Sequence, residues 1–154
     1  MRLDLVKLFV ISTSETLEEL VGPSIEIESM RMQASPDTSG EVTAIISLTG
    51  DAYGKVMIEM NLGTALGLAG RLLGEDSREL TPLVRSSIAE LGSMAIGRAI
   101  SFINDAGTRV GMRPPVVMTR AGAPGYDDRF ETLVATIKTV YGEIGLNVTL
   151  QSLV

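Results

Sequence analysis

The chain of 154 residues is 45% hydrophobic and 21% charged, with a mean hydropathy of +0.27. That is the composition of one globular domain, residues 1–154, able to bury a core without disulfides or metal. Cys and His are both absent, which excludes a thiolate nucleophile, a Cys/His metal site, a Ser-His-Asp triad and a His general base. A net charge of -6 with a pI near 4.7 argues against nucleic acid as a partner, because binding there rests on Lys and Arg neutralising phosphates.

Residues 4–21 fit a covering helix, with Leu5, Phe9, Leu17, Leu20 and Val21 apolar, Glu15, Glu18 and Glu19 solvated, and Gly22-Pro23 as its stop. The apolar stretch from Leu8 to Ile11 is too short for a secretory leader, and no apolar run reaches the length of a membrane span. A cytoplasmic chain without membrane insertion is therefore expected. Three strand-like segments follow, 24–33, 41–50 and 52–61, and read as an antiparallel meander. In the first, Ile25 and Ile27 alternate in one phase and Met30 and Met32 in the other, which predicts a bulge near Glu28 and Ser29.

Residues 62–75 predict a short helix closed by Gly74. Its glycines lack the Lys-Ser/Thr of a phosphate loop, so Gly63, Gly67 and Gly70 read as close packing points. Thr81 and Pro82 supply an N-cap and a first-turn proline for a long helix over 82–104. A glycine-bearing linker leads to a short strand in 114–122. Residues 129–154 then predict a closing hairpin that turns near Gly142, with Ile144, Leu146, Val148 and Leu150 alternating with Gly145, Asn147, Thr149 and Gln151. The sequon at Asn147 reads as accidental, and the eight methionines as core filler. The element order gives an α+β fold, a mostly antiparallel sheet with long helices packed on one face.

The long helix divides into two sectors. Ile88, Leu91, Ala95, Ile96, Ala99, Phe102 and Ile103 are expected to face the core, and Ser86, Glu90, Ser93, Gly97, Ser101 and Asn104 form the opposite stripe. Solvated faces normally carry Lys, Glu, Arg and Gln; Ser and Gly cost several tenths to about 1 kcal/mol each relative to Ala. A small-residue strip around one carboxylate suits close docking of a protein that brings a cation.

These residues resemble the CheX branch of the chemotaxis phosphatases, related to CheC and to the middle domain of the flagellar switch protein FliM. The family pattern is Asp or Ser, three residues, Glu, two residues, Asn, and a Pro some twenty residues on. Ser86 and Glu90 match its first two positions, Pro114 or Pro115 its proline, and Ser93 stands at the Asn position. "SLTGDAYGKVMIEM" and "TVYGEIGLNVTL" extend the similarity over most of the chain.

The resemblance implies a phosphorylated CheY-like response regulator as partner, with Mg²⁺ and a Lys supplied by the regulator and no cofactor of the chain's own. It implies that Glu90 pairs with that Lys and that Ser93 takes the water-orienting position. Ser86, Gly97 and Pro115 would be partner contacts. It also implies a homodimer, for which exposed sheet edges offer a route. Three functions follow: a phosphoaspartate phosphatase; a non-catalytic regulator-binding scaffold, because Ser93 replaces Asn; and a dimeric structural or small-ligand module unconnected with phosphorylation.

Overall fold

The computed structural model describes residues 3–37, 39–119 and 131–153. Three helices, α1 (Leu3–Val21), α2 (Leu62–Leu73) and α3 (Pro82–Asp105), cover one face of a seven-stranded antiparallel sheet. The strands are β1 (Glu26–Gln33), β2 (Val42–Gly50), β3 (Ala52–Met60), β4 (Val110–Met112), β5 (Val116–Thr119), β6 (Thr132–Thr139) and β7 (Gly142–Leu153). The expected α+β architecture is present. The parts of the last two predicted segments that fall at 120–130 and at 154 lie outside the described residues.

The sheet order is β1-β6-β7-β3-β2-β4, with β5 also on β2. The predicted meander is thus corrected at one point: β2 and β3 form a hairpin, but β1 pairs with β6 at the far edge. The physical reason is the connection after β1. It passes beneath the sheet, where the Asp37 N–H donates to Asn147 Oδ1 at 2.8 Å and Asn147 Nδ2 donates to the Asp37 carbonyl at 2.9 Å. Gly40 then sits so close to β3 that a β-carbon there would lie 2.7 Å from Glu59 Cβ. Asn147 is buried and committed to these bonds, which fits an accidental sequon. The bulge expected in β1 occurs between Ile27 and Ser29.

Alternation sorts the strands into two faces. Ala44, Ile46, Val56, Ile58, Ala135, Ile137, Leu146 and Val148 join Phe9, Leu17, Leu68, Ile88, Leu91 and Ile96 in one core beneath the helices. Side chains of the opposite face, Thr43, Met57, Asn147 and Thr149 among them, are buried as well.

Local chemistry sets the helix ends. Thr81 Oγ1 accepts from Val84 N at 3.2 Å, with Pro82 in the first turn of α3. Gly74 ends α2 in the left-handed region, at φ 74°, and donates to Gly70 O. Of the proposed packing glycines, Gly67 seats the Tyr141 ring, which a β-carbon would approach to 2.6 Å, and a β-carbon at Gly70 would lie 3.1 Å from the Glu75 carbonyl oxygen. Gly63 meets nothing within 4 Å, so its expected packing role is not found.

Two differences bear on the site. The linker after α3 contains β4, which pairs with Leu48–Gly50, and Asn104 holds it in place. Asn104 Oδ1 accepts from Val110 N at 2.7 Å while Nδ2 donates to Val110 O at 3.1 Å. Asn104 is therefore a clip for the edge strand. Phe102, expected in the core, is 53% exposed. Its neighbour Ile103 is 1% exposed, so the last turn of α3 (Pro82–Asp105) is covered on the side of Ile103 and left open on the side of Phe102.

Candidate functional site

The stripe on α3 stands on the helix face opposite the core. Val84, Ile88, Leu91, Gly92, Ala95, Ile96 and Ala99 are buried against the sheet and neighbouring helices. Gly92 is the point of closest approach: a β-carbon there would lie 3.1 Å from Ile46 Cδ1. On the outer side Ser86 and Glu90 are exposed, and Ser93 and Gly97 are half-buried. Successive members lie about 4.5 to 6 Å apart along the axis, so the structure brings these four residues into one continuous strip.

Two flanking contacts give that strip its sides. Toward the sheet edge, Arg85 donates to the Val117 carbonyl at 3.3 Å, and Gly97 faces Met112 Cε, 4.0 Å from the position of an added β-carbon. These contacts bracket Pro114 and Pro115, placing the proline pair alongside the α3 segment that carries Glu90 and Ser93. The prolines also split the edge strand, since Arg113 N bonds Ser47 O and Val116 pairs with Ile45, leaving the pair opposite Ile46 without donors. Toward α1, Arg98 reaches Glu19 at 2.6 Å and Glu15 at 3.5 Å, which turns its charge away from the strip.

Glu90 is consequently the only charged side chain on the outward stripe from Leu83 to Ser101. Among the described residues, the side chains of Ser86, Glu90 and Ser93 make no hydrogen bond or ion pair. The neighbouring Ser87, by contrast, donates back to the Leu83 and Val84 carbonyls. The strip thus offers one carboxylate and two hydroxyls to whatever lies against it. No group of three or more His, Cys, Asp or Glu side chains that could hold a metal ion occurs among the described residues. None of the helices among them is long and apolar enough to cross a membrane.

Sequence reasoning missed two residues of this face. Leu83 is 55% exposed and Met94 is 42% exposed, on either side of Glu90. Met94 is therefore not core filler, and neither is Met32 in β1, which is equally exposed. The angular position, about 20° from Glu90 for Leu83 and about 40° for Met94 at 100° per residue, was the available signal.

A family model described as chemotaxis phosphatase CheX matches residues 42–137, a span running from β2 into β6 and containing all of α3. The CheY-P phosphatase CheX of Thermotoga maritima is 23% identical over 116 residues, 75% of each chain. A CheC-like superfamily protein from Shewanella sp. PV-4 superposes with a TM-score of 0.86 at 18% identity, over 99% of this chain and 100% of that one. The complex of CheX with CheY, BeF3 and Mg²⁺ from Borrelia burgdorferi gives 0.77 at 20% identity, over 98% and 100%.

Proposed function

The chain belongs to the CheX family of chemotaxis phosphatases, and from that premise we propose that it docks on a phosphorylated CheY-type response regulator and hydrolyses its phosphoaspartate. The observation that carries this reading is Glu90: the one charge on the outward stripe of α3, without an intrachain partner among the described residues, beside the hydroxyl of Ser93. The Borrelia relative was crystallised with CheY, which supports a receiver domain as the partner here.

In the proposed reaction the regulator brings Mg²⁺, the phosphoryl group and a lysine, and Glu90 pairs with the lysine to fix the two proteins. Ser93 holds a water in line with the phosphorus. The water oxygen forms the new P–O bond, the bond to the regulator's aspartate breaks, and its electron pair returns to the carboxylate, leaving inorganic phosphate and free aspartate. Nothing in that sequence requires His, Cys or a covalent intermediate on this chain. Positioning of this kind is worth several kcal/mol of barrier.

Ser93 also favours a second reading. Its oxygen is bonded to Cβ, one bond nearer the backbone than the amide of the family's Asn, and a displacement of about 1 Å can cost on the order of 100-fold in rate. The second reading is a regulator-binding protein of the same fold that does not turn over. Phosphate release from a phosphorylated CheY-type regulator separates the two: acceleration over spontaneous decay, lost in Glu90→Ala, supports the phosphatase. Binding that Glu90→Ala abolishes, without acceleration, supports the scaffold.

The same reading includes a homodimer. Pro114 and Pro115 interrupt one sheet edge, whereas β1 pairs only with β6 among the described strands, so β1 is the edge proposed to pair with a second copy. Light scattering on wild type and on a Met30→Pro variant in β1 tests it; a monomeric wild type overturns it.

A further inference from the structure

We propose that Leu83 and Met94 select which receiver domain this chain accepts, by gripping apolar side chains on either side of the receiver's lysine. The inference rests on the docking reading above and concerns the same face. Leu83 lies seven residues before Glu90 and Met94 four after it, about 10 Å and 6 Å along the axis. All three project into one sector. Leu83 is 55% and Met94 42% exposed, so each leaves about half of its surface for a partner seated on Glu90 to bury.

Their surroundings specify the partner's chemistry. Arg98 is held by Glu15 and Glu19 and Arg85 reaches Val117 O, so no cation competes for Glu90 on its own helix face. The complementary surface carries one cation between two apolar contacts. When such a surface seats, Leu83 and Met94 exclude water from around the Glu90 pair, and a charge pair ringed by apolar contacts is stronger than one left in solvent. Leucine provides a fixed shape. Methionine, unbranched and adaptable, fills what the partner leaves. Glu90 then recognises the lysine shared by receiver domains, and the two apolar side chains discriminate among them.

The test is binding of the CheY-type receiver domains of the source genome, each loaded with Mg²⁺ and beryllofluoride, to wild type, Leu83→Ser, Met94→Gln, the double variant and Glu90→Ala. Val140→Ser, at an exposed valine in the β6–β7 turn, is the control. Each single variant is expected to weaken the tightest receiver about ten-fold and the double variant about 100-fold, the two sites being far enough apart to add. The preference over the other receivers should shrink in parallel, with circular dichroism unchanged and Val140→Ser binding as wild type. Unchanged affinity and preference in the double variant, with binding still abolished by Glu90→Ala, overturns this inference and leaves the docking reading intact. Indifference of binding to Glu90→Ala overturns the docking reading itself. An equal loss in Val140→Ser marks the effect as general surface chemistry and also overturns the inference.

Discussion

Gly97 offers the sharpest separation of what α3 does for the fold from what it does for a partner. A glycine inside a helix costs about 0.8 to 1 kcal/mol relative to alanine. At Gly92 that cost has an internal reason, the 3.1 Å approach to Ile46. At Gly97 the only neighbour of an added β-carbon outside the helix, among the described residues, is Met112 Cε at 4.0 Å, an ordinary contact. Gly97→Ala should therefore stabilise the isolated protein by about 0.8 to 1 kcal/mol, which raises Tm by roughly 2 to 4 °C for a chain of this size. The midpoint of urea unfolding should move up by roughly 0.3 to 1 M. The same substitution places a methyl group on the proposed docking strip, and Gly97→Leu a full side chain. Affinity for the beryllofluoride-loaded regulator should fall modestly in the first and by tenfold or more in the second. A destabilised Gly97→Ala would mean that the helix itself needs the glycine. Wild-type affinity in Gly97→Leu would refute close docking at this turn.

Other outcomes follow from the same geometry. Ser93→Asn restores the family's amide and should raise phosphate release by up to about 100-fold with little change in regulator affinity; single-turnover decay of the phosphorylated regulator reads it directly. Glu90→Gln should retain the fold but weaken binding more at low than at high ionic strength, as loss of a charge pair requires, and a salt titration of affinity checks this. Asn104→Ala removes two hydrogen bonds to Val110 and should cost about 1 to 3 kcal/mol, with amide exchange accelerating first in β4. Asn147→Ala strips both bonds from the Asp37 connection; its cost, about 2 to 3 kcal/mol, should appear in urea unfolding without loss of regulator binding.

What the sequence made legible was local. Thr81, Pro82 and Gly74 mark helix ends because capping acts over three or four residues, and the phase change between Ile27 and Met30 marks the bulge because side chains alternate with period two. The pairing of β1 with β6 was not legible. It depends on a connection pinned by Asn147, 110 residues from Asp37, and nothing near β1 encodes that contact. In the site, the spacing of Ser86, Glu90, Ser93 and Gly97 was sufficient to put them on one face. Phe102 and Met94 were misassigned because hydrophobicity was taken to mean burial: Met94 stands on the outward sector of α3, and Phe102 lies in the inward sector where the last turn is covered on one side only.

The floor of α3 has a consequence for its roof. With only a hydrogen at Gly92, the helix axis settles low on the sheet, and that depth fixes the elevation at which Glu90 and Ser93 stand above the protein surface. A methyl group at position 92 would lie 3.1 Å from Ile46 Cδ1, so that either this buried side chain or the helix must give by a few tenths of an ångström. Water alignment is sensitive to shifts of that order. In the proposed complex the elevation of Glu90 and Ser93 thus depends on a residue buried on the underside of the helix.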